Sequence, residues 1–223
     1  MEQAAAPRPG IAQRVNNVVS ALREFFITGR KKRQQPIVDR EGLALFLDQR
    51  ASYVAQMSLY GYLRTRAGVR YFELFHKDDF IAMLNVAKWH VWLDCLGDLS
   101  VYCGGMLLQG SGAPKQKVGE LMQEVVEDLL TKTAVPPDSG PKFSAHADKL
   151  RKRIAACKWE KVTDDGVPFS ESPKSVVKWA PIIEKLKELD ESIVINSVRF
   201  RWQEVRRDVR KYLDAAAVMS SRG

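Results

Sequence analysis

The segment from Asp78 to Gln109 constrains the fold of this chain most strongly, because it is a long apolar run with few polar side chains. Those side chains include Lys88, Asp94 and Asp98. A membrane span tolerates such charges poorly, since each costs on the order of 3 kcal/mol near the centre of the bilayer. The run is therefore typical of the central helix of a soluble bundle, and we expect no transmembrane segment.

Apolar residues recur at helical spacing along most of the chain, whereas alternating strand patterns are nearly absent. Asp39 is a good N-cap for a helix that runs to about Arg66, and Asp78 is expected to cap the central helix. The sequence therefore predicts a mainly α fold, a multi-helix bundle with an amphipathic N-terminal arm.

The C-terminal part is less regular. Asp165 and Gly166 form the one credible hairpin turn, so we expect at most one short hairpin, near residues 159–169. Pro181 suits the first position of a helix that would end near Ser192, ahead of a separate last helix.

Breaks in the chain suggest three parts. Three prolines and a glycine between Val135 and Pro141 indicate a boundary. We expect an arm over residues 1–36, a central helical bundle over 37–133, and a C-terminal helical part over 142–223. The last part either stands alone or packs on the bundle as one domain.

The arm combines an apolar helix face with a basic cluster. Its apolar docking face follows steps of three and four residues and consists of Ile11, Val15, Val18, Leu22 and Phe25. The basic cluster that follows consists of Arg30, Lys31, Lys32 and Arg33. Each basic side chain near an anionic membrane contributes about 1 kcal/mol, so this segment favours docking on such a surface or on a protein partner. Packing of the helix on the protein's own core is the competing interpretation.

Charge is distributed unevenly along the chain. The net charge is +8, and residues 1–36 hold seven basic and two acidic side chains. A second basic line is expected on the last helix, at Arg199, Arg206 and Arg210. We interpret both basic ends as candidate partner-binding or anion-binding residues, with a protein partner, an anionic membrane surface or nucleic acid as the partner. A solvated surface that keeps the protein soluble explains the same charges.

The polar residues of the central helix invite a metal interpretation, because His90, Asp94 and Asp98 recur every four residues. A helix-bundle metal site of the di-iron kind, however, needs glutamate and Glu-x-x-His ligands from several helices. We therefore predict no metal and no cofactor. We expect the aspartates to pair with arginines, for which Arg64, Arg66 and Arg70 in the preceding segment are candidates.

No catalytic motif is visible. Gly110, Ser111 and Gly112 lack the first glycine of a nucleophile elbow, and no phosphate-binding loop or dinucleotide fingerprint occurs. The sequence favours a non-catalytic helical interaction or assembly protein that docks through its basic amphipathic ends. The alternatives are a nucleic-acid-binding protein and a helical enzyme whose site is invisible in sequence. We expect a cytoplasmic protein, with association with a membrane and the mitochondrial matrix as the alternatives.

Overall fold

The computed structural model describes residues 35–221, which form α-helices joined by short loops and two 3-10 turns. The helices are α1 (Arg40–Ala67), α2 (Tyr71–Leu74), α3 (Asp78–Ser111), α4 (Lys115–Thr133), α5 (Phe143–Ala155), α6 (Glu171–Trp179), α7 (Glu184–Tyr212) and α8 (Ala215–Ser220). The 3-10 turns lie at Gly68–Arg70 and Trp159–Lys161. The predicted mainly α, multi-helix fold is confirmed.

Helix α3 is the centre of the bundle. Helices α1, α4, α5 and α6 all pack against it, and α7 packs against α1 and α6. Trp92, Leu96, Leu99 and Cys103 form a buried stripe on α3. Within the described part of the chain, α3 alone is long and apolar enough to cross a membrane, and 78% of its most apolar window is buried by the protein.

Two glycines allow the loop after α5 to lie directly on α3. A Cβ atom on Gly104 would lie 2.2 Å from the ring of Trp159, and one on Gly105 would lie 2.4 Å from Val162. The segment 159–169, where the sequence allowed a hairpin, forms a 3-10 turn followed by a loop instead. Packing on α3 therefore replaces strand pairing there.

The helix starts agree with the sequence at one position and differ at another. Asp39 is the N-cap of α1, and its Oδ1 accepts a hydrogen bond from the Gly42 amide at 2.7 Å. The prediction that Asp78 caps α3 is wrong, because Lys77 occupies the N-cap position and makes no side-chain capping bond. Asp78 lies in the first turn, where its carboxylate interacts favourably with the helix dipole.

The C-terminal helices also differ from the sequence-based prediction. The prediction of a separate helix from Pro181 to Ser192 is wrong, because α7 is one helix of 29 residues that starts at Glu184. No glycine or proline interrupts residues 184–212, so nothing ends the helix at Ser192. Helix α6, which precedes Pro181, was not predicted at all.

Two contacts fix the direction of α7 relative to α1. Arg50 binds Asp208 at 2.6 Å, and Arg66 binds Asp190, so the two helices are antiparallel. Near the start of α1, Ile37 forms a parallel bridge with Leu213. The end of α1 and the start of α7 therefore lie at the same end of the molecule.

Candidate functional site

Most of the predicted docking element lies outside the described residues. This applies to the apolar face, Ile11, Val15, Val18, Leu22 and Phe25, and to the basic cluster, Arg30, Lys31, Lys32 and Arg33. The second predicted basic line lies on α7 and can be placed.

Two of its three arginines bind the same carboxylate. Arg206 donates to Asp164 Oδ1 at 3.0 Å and to its carbonyl oxygen at 2.6 Å, while Arg210 donates to both carboxylate oxygens at 2.9 and 3.1 Å. Tyr102 on α3 donates to Oδ1 at 2.6 Å. Partial burial raises the pKa of Asp164, but these hydrogen bonds and the charge of Arg210 outweigh it, so the pKa lies below its usual value. Arg206 and Arg210 thus hold the 159–169 segment on α7.

Arg199 is the exposed member of that line. It lies on the rim of an open groove of about 540 Å³ between α7 and the loop before α6. Val167, Phe169, Trp202 and Gln203 line the same groove. The groove combines an apolar floor with one exposed guanidinium.

Several exposed apolar side chains lie where α1 ends and α7 begins. We define the apolar end as five exposed side chains: Val69, Phe72, Ile183, Leu189 and Ile193. Their exposed fractions range from 66% at Phe72 to 96% at Val69. The ion pair between Arg66 and Asp190 places these residues at one end of the molecule. Phe200, 72% exposed, continues the line along the outer face of α7.

The sequence of α7 contains a second set of apolar residues that indicates this surface, but the stronger pattern of its buried face makes that set easy to miss. Val194, Val198 and Trp202 form the buried face of α7. Leu189 and Ile193 are four residues apart and lie on the opposite face, where a solvated helix would have polar residues. A helix with apolar residues on two faces has one face left for a second contact.

Inside the bundle, the two histidines His90 and His146 form a polar network with Asp94. The Nδ1 atoms of His90 and His146 are 2.7 Å apart, and His146 Nε2 lies 2.9 Å from Asp94 Oδ1. The His90 ring also stacks on Trp179, with 3.7 Å between ring centroids and 8° between planes. The network joins α3 to α5 and α6.

His90 is fully buried, and its environment disfavours the charged ring. Burial and then the neighbouring His146 lower the pKa of His90 to about 4, although Asp94 opposes them. A perturbed histidine is a common mark of a catalytic site. Here the cause is enclosure under Trp179, which leaves a substrate no access to the ring.

Asp98 pairs with an arginine, as expected, but not with one of the expected arginines, whereas Asp94 binds His146 in place of the expected arginine. The Oδ1 atom of Asp98 lies 2.7 Å from Arg153 Nη2, and its Oδ2 accepts from the Ser172 amide at 2.8 Å. Burial raises the pKa of this fully buried carboxyl, and Arg153 and Ser172 oppose the shift. Among the candidates named from sequence, Arg66 binds Asp190 and Arg70 binds Glu73. The partner of Asp98 comes from α5.

Among residues 35–221, no group of three or more histidine, cysteine and acidic side chains has a geometry that could hold a metal ion. One Glu-x-x-His sequence does occur in the chain, from Glu73 to His76. Glu73 binds Arg70 at 3.1 Å, and His76 is exposed.

Comparison with known proteins adds no assignment. Neither the protein-family models, nor the curated proteins, nor the solved structures that were searched contain a match to this chain.

Proposed function

We propose that this chain is a non-catalytic interaction or assembly protein that binds a protein partner through its apolar end. The observation that carries the proposal is the exposure of five large apolar side chains at one end of an otherwise well-packed bundle. Monomeric soluble proteins rarely leave a contiguous apolar patch bare, and such patches commonly mark interaction sites.

The charges around the apolar end favour a protein over an anionic membrane. Residues 64–73 and 183–193 together hold five basic and five acidic side chains. A balanced surface gains little from an anionic bilayer, whereas it complements a protein surface of mixed charge. The basic N-terminal segment, residues 11–33, is the proposed second contact and the one suited to an anionic surface.

The free energy available from covering the apolar end suggests that binding needs a second contact as well. Full burial of a large apolar side chain stabilises by roughly 1.5–3 kcal/mol, so covering the exposed parts of these five contributes roughly 7 kcal/mol. Association costs roughly 4–15 kcal/mol in lost freedom. The apolar end alone therefore supports a weak complex, and a stable one needs a further contact such as residues 11–33.

A photo-crosslinking amino acid placed at Ile193 tests the proposal in cells. Leu45 is the matched control position, because it is an exposed leucine, 54% accessible, on α1 away from this end. We expect a discrete protein adduct from position 193 and none from position 45. Equal adducts at both positions would contradict the proposal.

The partner so identified is then measured with purified proteins. The double variant Leu189→Ser, Ile193→Ser should weaken binding by at least about tenfold, since it removes about 1.4 kcal/mol or more of apolar contact. Leu45→Ser should leave the Kd unchanged. Unchanged affinity in the double variant would show that the adduct was incidental. An adduct between two copies of this chain, with a dimer that the variant dissociates, would identify the partner as a second copy.

A further inference from the structure

The outer face of α7 carries apolar residues at heptad spacing. If Leu186 is position a of a heptad abcdefg, Leu189 falls at d, and Ile193 and Phe200 fall at the two following a positions. Asn196 holds the d position between those two. We call these five residues the outer seam. Isoleucine at a with leucine at d is a combination that favours two parallel helices.

The bundle leaves the outer seam open. The residues of α7 that the protein buries all lie at positions b, c or f of the same heptad: Lys187, Val194, Val198, Trp202, Val205 and Val209. Leu189, Ile193 and Phe200, in contrast, are between 67% and 72% exposed, and Leu186 is partly exposed. Helix α7 therefore packs on the bundle with one face and presents a second face to another helix.

The side chains that flank the outer seam are complementary to a second copy of themselves. In a parallel pair, each g residue of one helix lies beside the e residue five positions further along the other helix. In a symmetric dimer of α7 this rule gives three neighbouring pairs: Lys185 with Asp190, Ser192 with Ser197, and Arg199 with Glu204. No pair joins like charges, and each pair occurs twice in the dimer.

Arg199 and Glu204 contribute most to this complementarity. Both side chains are exposed, and within residues 35–221 neither forms an ion pair. Asp190, in contrast, already binds Arg66, so Lys185 of a second copy would only add to an existing ion pair. The two copies therefore supply each other with the ion pairs that Arg199 and Glu204 lack inside one chain.

The complementary stretch ends at Glu204. The next g position is Arg206, which would lie beside the like-charged Lys211 of a second copy. Arg206 is bound to Asp164 instead, and the polar Gln203 follows Phe200 at the next seam position. We therefore limit the contact to residues 185–204.

An antiparallel pair would bring like charges together. In that arrangement g residues face g residues and e residues face e residues. The charged g residues between 185 and 206 are all basic, and the charged e residues between 190 and 204 are both acidic. The parallel arrangement is therefore the one that these charges favour.

We propose that this chain forms a symmetric parallel dimer in which the outer seams of two α7 helices pack together and Arg199 of each copy binds Glu204 of the other. The inference rests on the proposed function, because Leu189 and Ile193 belong to the apolar end, and it names the partner as a second copy. A two-fold interface requires a surface that complements itself, as this one does. The outer seam spans only about two heptads and contains Asn196, so the dimer is weak and forms at high protein concentration.

Site-specific disulfides test the parallel register. Leu189→Cys and Phe200→Cys are each made with Cys157→Ser, because Cys157 is partly exposed whereas Cys95 and Cys103 are buried. In a parallel dimer each seam residue faces its own copy across the two-fold axis, close enough for a disulfide. Both variants should form disulfide-linked dimers at least about tenfold faster than Leu45→Cys in the same background, since the dimer raises the local thiol concentration.

The two positions together distinguish the possible arrangements. They lie about 16 Å apart along α7, so an antiparallel pair can join at most one of them to its own copy. A disulfide at one position only overturns the proposal, and so do rates equal to that of the control.

Exchange of the charges tests the contact between Arg199 and Glu204. Sedimentation velocity over a range of about a hundredfold in concentration gives the Kd of the dimer. Arg199→Glu and Glu204→Arg should each weaken the dimer by about tenfold, because two attractive pairs become repulsive. An equal mixture of the two variants restores both pairs in the mixed dimer and should associate about as tightly as the wild type. These differences should shrink at high salt.

Glu191→Arg is the matched control, because it changes an exposed acid at position f and should leave the Kd unchanged. A wild-type chain that stays monomeric at every concentration overturns the proposal. Single variants that dimerise like the wild type overturn it too, as does a mixture that associates no better than either variant alone.

The outcomes separate this inference from the proposed function. A monomeric chain whose position 193 is crosslinked in cells to a different protein contradicts the dimer and retains the proposed function. Equal crosslinking at positions 193 and 45 contradicts both.

Discussion

Acidification should destabilise this fold through His90, well before its carboxylates are protonated. The pKa of His90 lies at about 4 in the folded chain, against an ordinary value of 6.5, because the ring is buried and faces His146. Lys142 and Lys178 also lower it, while Asp94 raises it. Since the folded pKa is the lower one, the unfolded chain binds the proton first as the pH falls. The contribution of His90 is therefore fully present above pH 6.5 and is lost between about pH 6.5 and 4.

The size of the loss follows from the shift. One pKa unit corresponds to about 1.4 kcal/mol, so the full difference gives at most about 3 kcal/mol. Solvent reaches His146 and Asp94, whose side chains are 17% and 21% exposed, and screens part of the charge. We therefore expect the free energy of unfolding to fall by about 2 kcal/mol from pH 7.5 to 4.5 through this group.

Urea denaturation followed by tryptophan fluorescence measures this loss. The variant His90→Gln cannot titrate there, so its stability should change by about 2 kcal/mol less than that of the wild type over the same range. His76→Gln is the matched control, because His76 is exposed and should leave the wild-type pH dependence intact. If His90→Gln retains the full pH dependence, another group is responsible and the reasoning is refuted.

Three further predictions follow from the packing and the chain organisation. Asp98→Ala should lower the free energy of unfolding by roughly 3–5 kcal/mol, because Arg153 is left partly buried without its partner; a loss below 1 kcal/mol in chemical denaturation would contradict this. Gly104→Ala should cost about 1–3 kcal/mol, since its Cβ meets Trp159, and an unchanged Tm would show that the turn moves freely. Deleting residues 1–35 should shift the Tm by only a few degrees while reducing sedimentation with anionic vesicles; aggregation of the truncated protein would instead assign that segment to the core.

The sequence predicted what depends on local pattern and composition. The long apolar run identified α3 as the core helix, because a helix that is apolar on all sides can only be buried. The sequence also identified Asp39 as an N-cap, because the capping bond is local and uses an amide only three residues away. These features need no knowledge of which helices are neighbours.

The remainder depends on tertiary contacts. The partner of Asp98 lies 55 residues along the chain at Arg153, and helical spacing does not indicate which arginine folds back to it. The His90 to His146 contact has the same origin. The apolar end was missed because the regular apolar face with Val198 and Trp202 was enough to explain why α7 packs on the bundle. Only the packed structure shows that Leu189 and Ile193 are exposed on another face of the helix.

The bridge between Ile37 and Leu213 has a consequence for biosynthesis. The Ile37 amide donates to Tyr212 O at 2.7 Å, and the Asp214 amide donates back to Ile37 O at 3.0 Å, so neighbours in space are about 175 residues apart in the chain. Ribosomes add about 5–20 residues per second, so a completed α1 waits roughly 7 to 30 seconds until α7 is complete. During that interval the face of α1 that α7 covers is bare on the nascent chain. Chaperones that bind apolar segments therefore have an opportunity to bind this face of α1, and folding is completed only after translation has passed α7.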